Sequence, residues 1–297
     1  TILRLSPAVA QTEGDEGTKS FDYTITLEKA TGQGFTLNYA ALDGTATLQD
    51  NDYVQNAETL NFSGTAGESQ TVSILVNGDK KIEADEEFLF TLSDLSNNFN
   101  GRLSIPTNSS SGTIKNDDDA TITISKTDGI EGSQDGEFVF ALPPSVSADQ
   151  DITINYSLTG TAGTSDFSAA PSPSAITIPA GENRAYLKLV VNDDSVLEER
   201  ENVVLNISQI INPYNNVTLA SPVPVVEIFD NDIANLTIIN PAARAEGQEG
   251  STSVEFSVKL DKTTDKPFSV KYSTVDGTAT IADLDYQSQV GTLNFSG

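Results

Sequence analysis

The chain has 297 residues, with 43 Asp and Glu against 16 Lys and Arg and a formal charge of −27; such a surface repels nucleic-acid phosphates and anionic lipid and attracts cations. There is no Cys, His, Met or Trp, which excludes disulfides, thiolate metal sites and any Ser-His-Asp or Cys-His nucleophile system built from the chain's own residues. No apolar run approaches the roughly 18 to 20 residues that cross a bilayer as a helix, so nucleic-acid binding, direct membrane insertion and enzymatic activity are all unexpected.

Taken in order, the predicted elements are strands. "TILRLSPAVA" reads as a first strand, followed by "SFDYTITL" (20–27), "FTLNYAAL" (35–42), "QTVSILV" (70–76) and "EFLFTLS" (87–93). "ITINYSL" (152–158) and "RAYLKLVV" (184–191) continue the pattern. Each alternates apolar and polar residues, the signature of a half-buried strand. Gly, Asn, Asp, Ser and Pro punctuate between them.

The strands recur. "LDGTATLQDNDY" (42–53) returns as "VDGTATIADLDY" (275–286), and "LTGTAGTSDF" stands between them. The Gly residues of these phrases, Gly44, Gly160 and Gly277, are spaced by 116 and then 117 residues. "TEGDEGTKSFDYTITL" (12–27) returns as "AEGQEGSTSVEFSVKL" (245–260), shortened in the middle copy to "IEGSQDGEFVFAL" (130–142). "VNGDKKIEADEEFLFTL" (76–92) returns as "VNDDSVLEERENVVLNI" (191–207), and "TIKNDDDATITI" (113–124) resembles "EIFDNDIANLTII" (227–239). A period of this length is a whole domain rather than a solenoid unit. The expected organisation is therefore a first repeat over 1–119, a second over 120–233, and the N-terminal half of a third over 234–297. Seven or so strands per repeat predict an all-β fold of tandem immunoglobulin-like sandwiches, with a small Greek-key barrel as the alternative.

Many acids sit where strands begin or end. In the first repeat these are Glu13, Asp52, Asp79, Glu83 and Glu86, with Asn116, Asp117 and Asp118 at the close. In the second they are Glu131, Asp166, Asp193, Asp194, Glu198 and Glu201, with Asp230, Asn231 and Asp232. The third keeps Glu246 and Asp285. Turn formation and solubility are the plain reading of such residues. Gathered at one end of a sandwich, however, so many like charges repel, and Lys and Arg are too few to neutralise them. A hard cation taking 6 to 8 oxygen ligands would. An all-oxygen donor set without His or Cys favours Ca²⁺ over zinc or copper.

Together "DGTAT…DY…GTLNFSG", "VNGDKKIEADEEFLFTL" and "GTIKNDDD" resemble the Calx-β domain, over the whole chain and in fixed order. The resemblance implies an immunoglobulin-like sandwich with a Ca²⁺ cluster at one tip. Its ligands would come from the Glu of the "EG" turn, the Asp before Tyr, the "D…E..E" segment and the closing Asp triplet. By position these are Glu13, Asp52, Asp79, Glu83, Glu86, Asp117 and Asp118 in the first repeat. Asn116 stands where the family often has Asp, and Gly78 replaces an acid, which implies fewer ions there. In the second repeat Asn231 falls within the triplet and Phe167 replaces the usual Tyr. The third repeat has no "D…E..E" segment and no triplet, so it is not expected to assemble a site alone, and the chain is expected to be a piece of a longer array.

The functional expectation is a calcium-binding structural or adhesive segment of an extracellular or surface bacterial protein. Its partners would be calcium ions and neighbouring repeats or laterally associated copies. Alternatives are the regulatory Ca²⁺ sensor of a membrane transporter and the non-catalytic spacer of a secreted enzyme.

Overall fold

The computed structural model describes residues 1–170, 174–214 and 216–297. Among them every regular element is a strand, and no helix is long and apolar enough to cross a membrane. The fold is all-β, in tandem immunoglobulin-like sandwiches.

Repeat one contains β1 (Leu3–Leu5), β2 (Val9–Thr12), β3 (Thr18–Leu27), β4 (Phe35–Leu42), β5 (Ala57–Phe62), β6 (Ser69–Asn77), β7 (Lys81–Ile82), β8 (Glu86–Ser93) and β9 (Ser109–Lys115). One sheet has the order β1-β3-β6 and the other β2-β9-β8-β4-β5. The opening segment, expected as one strand, is two. β1 runs antiparallel to β3, and β2 crosses to the facing sheet to run parallel to β9. Pro7 lies at the crossing, where its missing N–H cannot serve either ladder. The alternation seen in sequence becomes the core: Phe21, Tyr23, Ile25 and Leu27 of β3 are fully buried, facing Leu37, Phe88 and Phe90 of the second sheet. Tyr23 stacks on Phe90 with ring centroids 4.3 Å apart. Burying each such side chain contributes about 1.5–3 kcal/mol.

Repeat two contains β10 (Ala120–Thr127), β11 (Gly129–Ile130), β12 (Gly136–Ala141), β13 (Ser147–Ala148), β14 (Ile152–Gly160), β15 (Phe167–Ala170), β16 (Ala175–Ile178), β17 (Arg184–Val191), β18 (Val196–Leu197), β19 (Glu201–Ile211), β20 (Val217–Leu219) and β21 (Val225–Phe229). Its sheets are β15-β17-β12-β10-β20 and β11-β21-β19-β14-β16. Phe138, Phe140, Ile154, Leu187 and Leu189 form the centre of its core.

Residues 234–297 form β22 (Leu236–Ile239), β23 (Ser257–Leu260), β24 (Thr263–Thr264), β25 (Phe268–Ser273) and β26 (Val290–Phe295). Among themselves they pair as β22-β23 and β25-β26, and β24 pairs with β18 of repeat two. Phe268 stacks on Phe295 at 4.7 Å, as Phe35 does on Phe62 in repeat one. β3 has ten residues because β6 pairs along nine of them. β23 has no such partner and keeps four residues. Ile238, Val254 and Phe256 are left half-exposed or more.

The repeats meet through two-residue parallel bridges, β7 with β13 and β18 with β24. Ile82 of β7 has no exposed surface and packs within the hydrophobic cluster of repeat two, beside Val146 and Ala148. Asn116, Asp117, Asp118 and Asp119 alone lie between β9 and β10.

Candidate metal centre

The repeated phrase is a loop that holds its own shape. In repeat one Asp43 Oδ1 accepts the Tyr53 hydroxyl at 2.6 Å and the Leu48 N–H at 3.1 Å, and Asp52 Oδ2 accepts the Thr47 N–H at 2.6 Å. In repeat three Asp276 accepts from Tyr286 (2.8 Å) and Ile281 (3.0 Å), and Asp285 from Thr280 (2.9 Å). The middle copy has Phe167 in place of Tyr, and there Asp166 Oδ2 accepts the Gly163 N–H at 2.5 Å. In repeats one and two the phrase needs its Gly, because a Cβ at Gly44 would stand 2.2 Å from the Glu87 carbonyl oxygen and at Gly160 the same distance from that of Asn202, whereas a Cβ at Gly277 would meet nothing within 4 Å. The close approach lays the loop against β8 and β19 and carries Asp52 and Asp166 to the start of those strands.

In repeat one Glu13 enters between β2 and β3, Asp79 and Glu83 flank β7, Glu86 opens β8, and Asp117 and Asp118 follow β9. One carboxylate oxygen from each of Asp52, Glu83 and Glu86 lies within 4.8 Å of the others. Glu13, Asp52, Glu83 and Asp118 are buried, and Glu13 Oε1 and Asp118 Oδ2 have no hydrogen-bond partner. Burial, then the charges of Glu83, Asp79, Asp118 and Asp117, push the Glu13 carboxyl up to about 8. Burial and Asp52 push Glu86 to about 8. Burial, then Asp15, Asp79, Asp117 and Glu83, push Asp118 to about 6. The counter-charge is Lys81, whose Nζ lies 2.5 Å from Glu83 Oε2. Asp117 Oδ1 also accepts the Gly14 N–H at 2.9 Å, and Asn116 Oδ1 accepts the Asp118 N–H at 3.1 Å. Asn116 thereby shapes the turn that presents Asp118. A cleft of about 370 Å³ opens between Glu83, Asp117 and Asp118 and the Tyr214 and Asn216 of repeat two.

Repeat two gathers its acids in two groups, Glu131 with Asp194 and Asp232, and Asp166 with Glu198 and Glu201. Glu131 Oε2, Glu201 Oε2 and Asp232 Oδ2 are buried without partners. Burial, then Asp230, Glu198, Asp194 and Asp232, push Glu131 to about 7; burial, then Asp166 and Glu198, do the same to Glu201. Asp230 is a brace: its oxygens accept the Glu198 N–H at 2.8 Å and the Asp232 N–H at 2.6 Å. Asn231 Nδ2 donates to Asp193 Oδ1 at 3.0 Å and to the Glu131 carbonyl at 2.8 Å. Asp232 pairs with Lys262 of repeat three. Glu246 and Asp285 are exposed and join no acid group among the described residues. Four groups at the sites lie outside the acidic landmarks: Lys81, Lys262 and two aspartates, Asp149 and Asp265, of the following repeats. Only the regularity of their spacing could have marked the aspartates in sequence.

Gly78, where an acid was expected, has a structural cause. A Cβ there would stand 2.1 Å from the Gly14 carbonyl oxygen. In repeat two the equivalent Asp193 fits, and the tight position passes to Gly132, whose Cβ would meet Asp193 Oδ1 at 2.8 Å. Gly78→Asp is expected to lower the melting temperature of repeat one instead of adding a cation, and calorimetry with calcium titration measures both.

The raised carboxyls set a pH dependence. With folded values near 7 to 8 for Glu13, Glu86, Glu131 and Glu201, the native state holds protons that the unfolded chain has released. The contribution of these groups to metal-free stability is then fully present below about pH 4.5 and is lost as pH rises towards about 8. Thermal melts in EGTA across that range are expected to decline, and a rise would contradict these environments. Calcium affinity should climb over the same window, because binding requires the deprotonated carboxylates.

All donors are oxygens, and several are buried without partners, which fits a hard divalent cation and supplies no thiolate or imidazole. The profile of the Calx-beta domain matches residues 4–128, 115–242 and 230–297. Among solved structures, CBD12 from CALX1.2 is 14% identical, with a TM-score of 0.36, over 78% of this chain and 100% of that one. The calcium binding domain CBD12 of CALX1.1 is 16% identical, with a TM-score of 0.35, over 76% and 99%. The apo-form Calx CBD1 domain is 21% identical, with a TM-score of 0.33, over 39% and 98%. No curated protein matches. With the family profile matched in each of its three repeats, the chain belongs to the Calx-beta domain family.

Proposed function

We propose that this chain is a calcium-binding structural segment of an extracellular or cell-surface protein, of structural or adhesive use, in which Ca²⁺ at the repeat tips stiffens the junctions. Calx-beta domains are calcium-binding modules. The observation that carries the reading is the pair of acid clusters with unpartnered buried oxygens, each at the end of a repeat that faces the next. In repeat one Glu13, Asp52, Asp79, Glu83, Glu86, Asp117 and Asp118 would hold the cation; in repeat two Glu131, Asp166, Asp194, Glu198, Glu201 and Asp232 would. Bound calcium removes acid–acid repulsion and restrains the segment that continues into the next repeat. Small-angle scattering tests the stiffening. A narrower distribution of dimensions in calcium than in EGTA is expected, and identical profiles would refute it.

A further inference from the structure

Each acid cluster is bordered by the following repeat, and the two borders are alike. Ser147 stands opposite Lys81 and Ala148 opposite Ile82, and the Asp149 N–H continues the ladder onto the Ile82 carbonyl at 3.1 Å. At the second junction Thr263 stands opposite Val196 and Thr264 opposite Leu197, and the Asp265 N–H bonds the Leu197 carbonyl at 3.2 Å. One more step of each register sets Asp149 opposite Glu83 and Asp265 opposite Glu198. Residues in register on adjacent strands are about 4.8 Å apart and leave the same face of the sheet. Asp149 and Asp265 are 116 residues apart, the repeat period.

An added carboxylate at the rim of a crowded acid cluster repels it. Lys81 and Lys262 offset part of that repulsion through Glu83 and Asp232. Lys266 Nζ pairs closely with Glu199 at 2.5 Å and reaches Asp265 Oδ2 only as a long ion pair at 3.9 Å, so it screens Asp265 weakly. Asp149 is held in place by the Tyr214 hydroxyl at 2.8 Å. The clusters also contain the unpartnered oxygens of Glu13, Asp118 and Glu131, side chains more than nine-tenths buried. A contact that is repulsive without a cation, and built twice in the same register, is explained by a cation between its members.

We propose that each calcium site is composite across the junction: repeat two donates Asp149 to the site of repeat one, and repeat three donates Asp265 to the site of repeat two. This rests on the calcium reading above and goes beyond it, since the site of one repeat is then incomplete without the next.

The test is calcium titration of the full chain by calorimetry, for the wild type, Asp149→Asn and Asp265→Asn. Asp151→Asn is the control, because Asp151 Oδ1 accepts the Ala180 N–H at 2.9 Å within repeat two. Each of the two variants is expected to weaken one class of site roughly tenfold and leave the other unchanged, with the control like wild type. Melting supplies the second readout. Both variants should melt no lower than wild type in EGTA and lower than wild type in calcium. Wild-type affinity in both variants, or an equal loss of melting temperature with and without calcium, would overturn the composite site while leaving calcium binding intact. A wild-type chain that takes up no calcium would overturn both.

Discussion

Millimolar calcium is expected to raise the melting temperature of the full chain well above its value in EGTA. A ligand bound only by the native state adds about 2.7 kcal/mol at a hundredfold excess over its dissociation constant. For a domain of 60 to 100 residues each kcal/mol moves the midpoint by roughly 4–8 °C. For a repeat somewhat longer than that the shift per kcal/mol is at the low end of this range, so a single filled site is worth roughly ten degrees in its repeat. Magnesium should substitute poorly, because it demands strict octahedral geometry and keeps its waters. Glu83→Gln should remove the gain in repeat one and Glu198→Gln that in repeat two. Asp22→Asn should leave it alone, since Asp22 lies within β3, bonded to Ser20 and Ser73 at 2.6 Å and away from either cluster. Coincident melting curves in calcium and EGTA would end the calcium reading.

The second large effect is expected at Ile82. It precedes a ligand candidate of repeat one yet is buried in the core of repeat two. Ile82→Ala leaves a cavity there and should cost about 2–5 kcal/mol, seen as a lower melting transition for repeat two. The same change loosens the backbone next to Glu83, so calcium affinity of repeat one should fall as well. Differential scanning calorimetry with calcium titration reads both, and a melting profile unchanged from wild type would show that this side chain does not join the repeats.

Much of this architecture was legible beforehand, because period-two alternation and a period-116 repeat are both carried by local sequence. β3, β4, β6, β8 and β17 coincide with their alternating runs. The acids at strand ends were legible because they break that alternation. Three features were not. The crossing at Pro7 depends on which sheet a strand joins. Long-range pairing sets the length of β23, and the copy of a ten-residue strand shrinks without β6 to pair with. Asp149 and Asp265 sit in loops that read as ordinary turns, and only the junction register brings them beside Glu83 and Glu198. Gly78 was legible as a departure from pattern, but its cause, the Gly14 carbonyl pressed against it, is tertiary.

The parallel pairing of β2 with β9 bears on how the molecule carries load. These strands adjoin the entrance and the exit of repeat one, matched from Val9 opposite Gly112 to Thr12 opposite Lys115. Tension applied to the two ends draws them in opposite directions along their length, so their hydrogen bonds are sheared together instead of peeled singly. The equivalent pair in repeat two, β11 with β21, is matched only at Gly129–Ile228 and Ile130–Phe229. Of the two complete repeats, repeat two is expected to rupture at lower force under pulling, so that in a stretched chain the middle gives way before the first repeat.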